Sequence, residues 1–469
     1  MKNIFFVLLI IILIAALAGC EKYTSGYSVN PLLASDADAS SLFVGAELGF
    51  TIFSEGLPSQ VAALWAQQLT GGQNQYVGYQ GYVINSQDFD ADWVNVYTGG
   101  LSNLKLTESK ATADGNMNLR GAARILEGIQ MGTVAALWGD VPYSQACNPA
   151  FPTPVFDPQD TVYAEVQSIL NQGIADLASP SVISKDMTSY AGDVTLWKLA
   201  AYSAKARYLM HVARHDGYPA ADLNAIIAAA NQGIIAVDGT QDLMFTHTTA
   251  VQGQSMNMWY SFDVVDRAGY IDAASTFVIP MMQAASFDHN HKSNESGRLS
   301  EYFNSTLNDI NTTTGLYQAA SPYPVIRASE TLLLMAEAYA RLGNTTSAIG
   351  QLNQARLYAN TVFGNTSVNF VASDFATPAA LLQTIYNEEY LALMHQIEVI
   401  NFLRRINYQI SYHTAGVVTA DTVITMEPTP GQTQFPERYF YTASEINANP
   451  HTPIQGSSDL FVNTAANTP

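Results

Sequence analysis

The chain has few charged residues and very few cations. Charged side chains make up 13% of its 469 residues, and 20 Lys and Arg oppose 40 Asp and Glu, for a formal net charge of −20. Nucleic-acid binding depends on clustered Lys and Arg that neutralise phosphates. No basic stripe occurs in the sequence. We therefore exclude a nucleic acid as a partner and expect a surface covered largely by neutral polar side chains.

Cysteine is almost absent, and its first position has a specific context. A continuous apolar run over residues 4–16 is followed by Leu-Ala-Gly and then Cys20. The run is shorter than the roughly 20 residues that span a bilayer, which favours a signal peptide over a membrane helix. A Cys at the cleavage junction is typical of a bacterial lipoprotein. We expect a signal peptide over residues 1–19, lipidation of Cys20 and a tether over residues 20–40.

The scarcity of Cys and His also limits metal and nucleophile chemistry. Cys147 lacks a second Cys for a disulfide or a zinc site, and no His adjoins it in sequence, so we expect a buried, unreactive thiol. The acids of residues 88–92 have calcium-like spacing without the Gly and Glu of an EF-hand loop. His289 and His291 lack a third ligand. We predict no metal and no cofactor, and a structural calcium ion is not indicated.

From residue 41 onward the apolar residues recur mostly at helical spacing. Two neighbouring pairs, residues 195–237 and 332–359, have the layout of a tetratricopeptide hairpin, in which small residues let two helices approach closely. The alternative is a generic helical hairpin. The helical candidates are residues 116–137, 161–178, 195–214, 221–237, 332–342, 344–359 and 381–406.

Between residues 240 and 325 the helical period fails, and Gly, Asn, Ser and aromatics take its place. A long irregular segment in a folded protein usually carries function. The sequence thus predicts a mainly α-helical protein with one domain over residues 41–469. We expect helical hairpins at about 90–240 and 325–406, a loop-rich ligand-binding insertion at 240–325, and an irregular C-terminal segment at 411–469.

Four stretches are similar, in the same order, to motifs of one family. They are Trp138-Gly139-Asp140-Val141-Pro142-Tyr143, Ala336-Glu337-Ala338, the helix that ends in Arg404-Arg405, and Pro436-Glu437-Arg438 followed by Glu445 and Asn449. Behind a lipoprotein signal, these motifs resemble the SusD/RagB family of nutrient-binding outer-membrane lipoproteins of the Bacteroidetes, in its SusD-like branch.

The resemblance implies a SusD-like α-α superhelix and a binding protein rather than an enzyme. It also implies a lipid-anchored protein at the outer membrane, exposed on the cell surface. The expected partner is a SusC-like TonB-dependent transporter, which receives an oligosaccharide or, in the RagB-like case, a peptide.

Two loop segments have the composition of a sugar-binding surface, which needs flat apolar rings beside amides and hydroxyls. Residues 71–82 place three Tyr at three-residue spacing among Gly, Gln and Asn. Residues 254–262 lie where the resemblance implies ligand-binding aromatics. The alternative for both segments is packing against their own scaffold. The predicted ligand contacts are Tyr76, Tyr79, Tyr82, Asn257, Trp259 and Tyr260.

Four functions follow from these observations. Glycan capture suits the neutral, Tyr-rich loops, and peptide capture suits the excess of acids. A glycoside hydrolase needs two carboxylates about 5–10 Å apart in a cleft. Adjacent residues such as Glu388 and Glu389 do not face each other on a helix, so we predict no catalytic residue. In a scaffold without a small ligand, both loop segments would be buried.

Overall fold

The computed structural model describes residues 37–251, 255–284, 292–413 and 422–468. The predictions for the signal peptide, for Cys20 and for most of the tether lie outside these residues. The same holds for His289 and His291. In the described part of the chain, no helix is both long and apolar enough to cross a membrane.

Helices make up most of the described structure, which confirms the predicted fold class. The α-helices are α1 (Ala39–Glu55), α2 (Leu57–Trp65), α3 (Gln75–Gln80), α4 (Asp90–Val94), α5 (Ser102–Ala113), α6 (Met117–Trp138), α7 (Gln159–Asp176), α8 (Val194–Ala213), α9 (Ala220–Ala230), α10 (Met258–Tyr260), α11 (Val278–Gln283), α12 (Ser296–Tyr302), α13 (Ala328–Arg341), α14 (Thr345–Phe363), α15 (Pro378–Ala392), α16 (Glu398–Arg405) and α17 (Ala443–Ala448). Two π-helical segments follow α4 and α10, at Asn95–Leu101 and Ser261–Asp266.

The strands are short and pair locally. They are β1 (Thr70–Gly71), β2 (Leu243–Phe245), β3 (Ile271–Asp272), β4 (Tyr323–Ile326), β5 (Ser411–His413) and β6 (Val423–Thr425). Among the described residues they form three antiparallel pairs, β1 with β3, β2 with β4, and β5 with β6. The first pair ties the loop after α2 to the 240–325 insertion.

Consecutive long helices pack as hairpins, and α9 and α15 both pack against α13. The turn between α13 and α14 shows how the sequence ends one helix and begins the next. Gly343 adopts a φ of +76°, which favours glycine because no Cβ is present. The side chain of Asn344 then caps α14 by accepting a hydrogen bond from Ser347 N at 3.1 Å. This cap lies where the sequence predicts the helix of residues 344–359 to begin.

The single helix predicted over residues 381–406 is wrong. The structure has α15 and α16 instead, separated by a turn in which His395 has a φ of +59°. The imidazole of His395 is buried against the rings of Trp259 and Tyr317, and burial lowers its pKa to about 3. Packing of these rings in the core outweighs the local helical periodicity.

Glycine permits the close contact of α6 with α7. A Cβ on Gly121 would lie 2.9 Å from the carbonyl oxygen of Gly173, and a Cβ on Gly173 would lie 2.9 Å from that of Gly121. Both contacts involve backbone atoms, which cannot swing away as a flexible side chain could. The contact is what a tetratricopeptide-like hairpin requires of its small residues.

We expect Gly121→Ala to lower the free energy of unfolding by roughly 1–3 kcal/mol, because the added methyl forces α6 and α7 apart. Gly350 in α14 is the matched control, since a Cβ there meets nothing within 4 Å. Gly350→Ala should raise stability by about 0.5–1 kcal/mol through its better helix propensity. Urea unfolding of both variants measures the difference, and equal effects of the two substitutions would contradict the close approach.

Ion pairs lie inside the helical core and join helices far apart in sequence. Arg207 of α8 is paired with Glu330 of α13 at 2.5 Å. Arg405 of α16 contacts Glu337 of α13 at 2.5 Å. The hydrophobic core is built from buried residues between Ala39 and Ala466. We therefore expect the chain from residue 21 onward to fold without the preceding segment.

Candidate functional site

The two loop segments singled out in the sequence meet in space. β1 pairs with β3, and the backbone N–H groups of Gly72 and Gln73 donate to Tyr270 O at 2.9 and 3.3 Å. The ring of Tyr76 lies 5.1 Å from that of Phe262, centroid to centroid. We call the surface formed by residues 72–77 and 262–270 the Tyr270 face.

Two glycines allow this approach. A Cβ on Gly72 would lie 2.6 Å from Gly269 O, so a larger residue would push the two segments apart. Gly269 itself has a φ of +74°, a conformation that other residues rarely adopt. The turn it forms is closed by Tyr270 N, which donates to Arg267 O at 3.1 Å. The sequence therefore fixes the position of Tyr270 beside the first segment.

The Tyr270 face combines partly exposed rings with exposed amides. Phe262 and Tyr270 are half-buried, and the guanidinium of Arg267 lies 5.6 Å from the centroid of the Tyr270 ring. The side chains of Gln73, Asn74 and Gln75 are exposed along one edge. Rings that are partly free, next to neutral donors and acceptors, can bind a polar ligand that has apolar patches.

The face also carries negative charge. Burial, together with the nearby carboxylate of Asp309, raises the pKa of Asp263 to about 6. The backbone N–H of Gly269 donates to the same carboxylate and opposes the shift. Asp263 is thus mostly ionised at neutral pH, and the face should repel a polyanionic ligand.

The three tyrosines predicted to contact a ligand are buried. Tyr76, Tyr79 and Tyr82 are exposed to 5%, 7% and 5%. The hydroxyl of Tyr76 donates to Gln60 Oε1 at 2.7 Å, and that of Tyr79 donates to Asp88 at 3.0 Å. Because their hydroxyls donate to Gln60 and Asp88, Tyr76 and Tyr79 do not offer these groups to a ligand in this conformation.

Trp259 and Asn257 are also internal. The Trp259 ring is 1% exposed and stacks on His395 at a centroid distance of 5.4 Å. Asn257 Oδ1 accepts hydrogen bonds from the N–H groups of Trp259 and Tyr260, so Asn257 caps the short helix α10. Tyr260, the remaining predicted contact, is half-buried and keeps part of its side chain accessible.

Sequence reasoning did not select Phe262, Arg267 or Tyr270. Phe262 ends the second predicted segment and Tyr270 lies eight residues beyond it, inside the predicted insertion. Within Arg267-Ala268-Gly269-Tyr270, Gly269 is a turn signal, because glycine tolerates the positive φ that many turns require. From that signal, the sequence could have predicted that the Tyr270 ring lies next to a tight turn.

Cys147 is exposed, so the prediction of a buried thiol is wrong. It lies in the turn of residues 144–147 and has a φ of +58°. Its sulfur is nevertheless partly covered, and burial raises the pKa of the thiol to about 11. Among the residues that the structure describes, no group of three or more His, Cys, Asp and Glu is placed to hold a metal ion.

The described chain thus combines helical hairpins with a loop-rich region whose residues 262–270 lie against residues 72–77. The sequence model of one family, SusD-like, described as starch-binding and associating with the outer membrane, matches residues 33–408. This chain belongs to the SusD-like family, which confirms the resemblance seen in its motifs. No curated protein is significantly similar to it.

Solved structures share the fold at low sequence identity. A SusD/RagB family protein from Bacteroides thetaiotaomicron is 19% identical, with a TM-score of 0.68 over 92% of this chain and 99% of its own. A chitin-binding SusD homologue from Flavobacterium johnsoniae is 16% identical, with a TM-score of 0.63 over 91% of this chain and 99% of its own. A SusD homologue from Bacteroides uniformis is 18% identical, with a TM-score of 0.62 over 88% and 94%.

Proposed function

We propose that this protein is a glycan-binding lipoprotein of the outer membrane that captures an oligosaccharide on the Tyr270 face. The observation that carries the proposal is the convergence of residues 72–77 and 262–270, which brings partly exposed rings next to exposed amides. The starch-binding description of the family supports the ligand class, as does the chitin-binding homologue.

The chemistry of the face suits a neutral sugar chain. Phe262 and Tyr270 offer apolar surface to the C–H faces of sugar rings. The amides of Gln73, Asn74 and Gln75 can donate to and accept from hydroxyls without a charge. Asp263 adds an acceptor for hydroxyl hydrogens and disfavours acidic polysaccharides.

Delivery to a SusC-like TonB-dependent transporter, and anchoring through lipidated Cys20, belong to the same proposal. Both are supported by the family's association with the outer membrane. Cys20→Ala should move the protein from the membrane fraction to the soluble fraction of cells. Retention of the variant in the membrane would contradict lipid anchoring.

Peptide capture is the second candidate, because the acids of the Tyr270 face would also attract a basic peptide. Calorimetric titration of the chain from residue 21 with maltoheptaose, chitin oligosaccharides and basic peptides separates the two. We expect saturable binding of one class of neutral glycan and none of the peptides. Binding of peptides alone would replace glycan capture with peptide capture. Release of new reducing ends during the titration would contradict a binding protein without enzymatic activity.

A further inference from the structure

A second concave site lies apart from the Tyr270 face. Residues 93–98, 142–154 and 444–449 surround a pocket of about 310 Å³, lined by none of the residues of that face. Its walls include two aromatic rings and three prolines, from Trp93, Tyr97, Pro142, Pro152 and Pro154. This volume is at the lower end of the roughly 300–1,000 Å³ found for ligand pockets, so the pocket suits one long side chain better than a sugar chain.

One carboxylate is held at this pocket by neutral donors. Glu445 Oε2 accepts a hydrogen bond from Trp93 Nε1 at 3.2 Å, and its Oε1 accepts one from Asn449 Nδ2 at 2.8 Å. Asn449 also donates to Pro154 O at 2.7 Å, which fixes the amide. Within the described residues, no Lys, Arg or His forms an ion pair with Glu445. The carboxylate is thus oriented and lacks a countercharge. We call this site the Glu445 pocket.

Three exposed apolar residues line the pocket or adjoin its lining residues in sequence. Val94 lines it and is 51% exposed, while Ile446 and Phe151, next in sequence to lining residues, are 46% and 43% exposed. Clustered exposed apolar residues on a soluble surface are typical of a protein contact. A small ligand enclosed in the pocket would not need such a rim.

We propose that the Glu445 pocket docks an arginine side chain presented by an apolar-flanked segment of a partner protein. The aliphatic stem of Arg packs on proline and ring surfaces while its head stays charged. The guanidinium can pair with the Glu445 carboxylate and stack on Trp93 or Tyr97. The net charge of −20 adds long-range attraction for a basic partner. The proposal is independent of glycan binding.

Two peptides test the charge requirement directly. The acetylated, amidated pentapeptide Gly-Leu-Arg-Leu-Gly and its citrulline analogue have nearly the same shape and differ by one positive charge. Titrated into the chain from residue 21, the Arg peptide should bind roughly tenfold more tightly, the size expected for a hydrogen bond to a charged group. Cys147, which is the only cysteine of that chain and lines the pocket, should react more slowly with a maleimide when the Arg peptide is bound.

Variants assign the effect to the pocket. Glu445→Gln should remove the preference for Arg over citrulline, whereas Asp216→Asn, an exposed acid outside the pocket, makes the same change in net charge and should keep it. Phe151→Asp changes an exposed apolar residue next in sequence to Pro152 of the lining, and it should weaken binding of the Arg peptide by a similar factor. It provides the test if Glu445→Gln does not fold.

Several results would overturn the proposal. Equal affinity for the two peptides, or an unchanged preference in Glu445→Gln, removes the role of the carboxylate. Protection of Cys147 by agmatine as strong as that by the peptide indicates a small-amine site instead. Self-association in sedimentation that disappears in Phe151→Asp indicates a second copy of this chain as the occupant.

Discussion

Arg207→Met is expected to lower the free energy of unfolding by roughly 3–5 kcal/mol, the cost of leaving one partner of a buried ion pair without the other. Arg207 is 3% exposed, and its Nε and Nη2 donate to Glu330 at 2.5 and 2.6 Å. Its Nη2 also donates to Val325 O at 2.9 Å. The substitution keeps the apolar volume of the stem, so the lost stability reports on charge and hydrogen bonds rather than on a cavity.

A double-mutant cycle separates the pair from its surroundings. Combining Arg207→Met with Glu330→Gln removes both charges, and the double variant should recover part of the stability that either single variant loses. Chemical denaturation of the four proteins at neutral pH gives the coupling. Losses that simply add in the double variant would contradict a direct interaction between Arg207 and Glu330.

Trp259→Ala is expected to cost a similar roughly 3–5 kcal/mol of stability, because it leaves a large cavity in the core. The ring contacts Tyr317 and His395 at centroid distances of 5.8 and 5.4 Å. Glycan affinity of the fraction that stays folded should change less than twofold. The matched control is Tyr260→Ala, since Tyr260 is the next residue and is half-buried. It should cost less than about 1.5 kcal/mol, as a partly exposed side chain loses less buried area.

The reverse pattern would give Trp259 the role that the sequence suggests for it. If Trp259→Ala keeps its stability but loses glycan binding, the ring contacts the ligand in a conformation other than the one described here. Thermal unfolding alongside calorimetry distinguishes the two cases.

The fold could be predicted because its signals are local and repeated. Helical periodicity and the turn at Gly343 and Asn344 identify the hairpin of α13 and α14 within a few residues of its observed bounds. The break at His395 could not be predicted, since residues distant in sequence pack around it: Trp259 and Tyr317. Periodicity in one segment contains no information about such contacts.

The sequence could identify the segments that form the candidate site, but not which of their side chains are exposed on it. Composition identifies residues 71–82 and 254–262, and the structure brings these regions together. Composition alone does not show which side chains of a Tyr-rich segment point inward, because Tyr suits both a core and a surface. The hydroxyls of Tyr76 and Tyr79 donate to Gln60 and Asp88, which are not adjacent to them in sequence.

The ion pairs of the core show the same limit. A pair between Glu337 and one of the two terminal arginines could be anticipated from the charges on two helices, and Arg405 forms it. The same charges favour an arginine partner for Glu398, but its observed partner is His211, whose Nε2 lies 2.6 Å from Glu398 Oε1 and comes from a helix nearly 190 residues earlier. Long-range pairing depends on the packing of helices, which the spacing of charges in one segment does not determine.

The measurement that tests the central claim most directly is the glycan affinity of Tyr270→Ala beside that of the unsubstituted chain from residue 21. Tyr270 is half-buried on the proposed surface, and Tyr202 of α8, half-buried on a helical hairpin, is the matched control. We expect Tyr270→Ala to weaken binding of the captured glycan by roughly tenfold or more, about 1.4 kcal/mol, while Tyr202→Ala leaves it unchanged. Binding by Tyr270→Ala within twofold of the unsubstituted protein would contradict the assignment of glycan capture to this face.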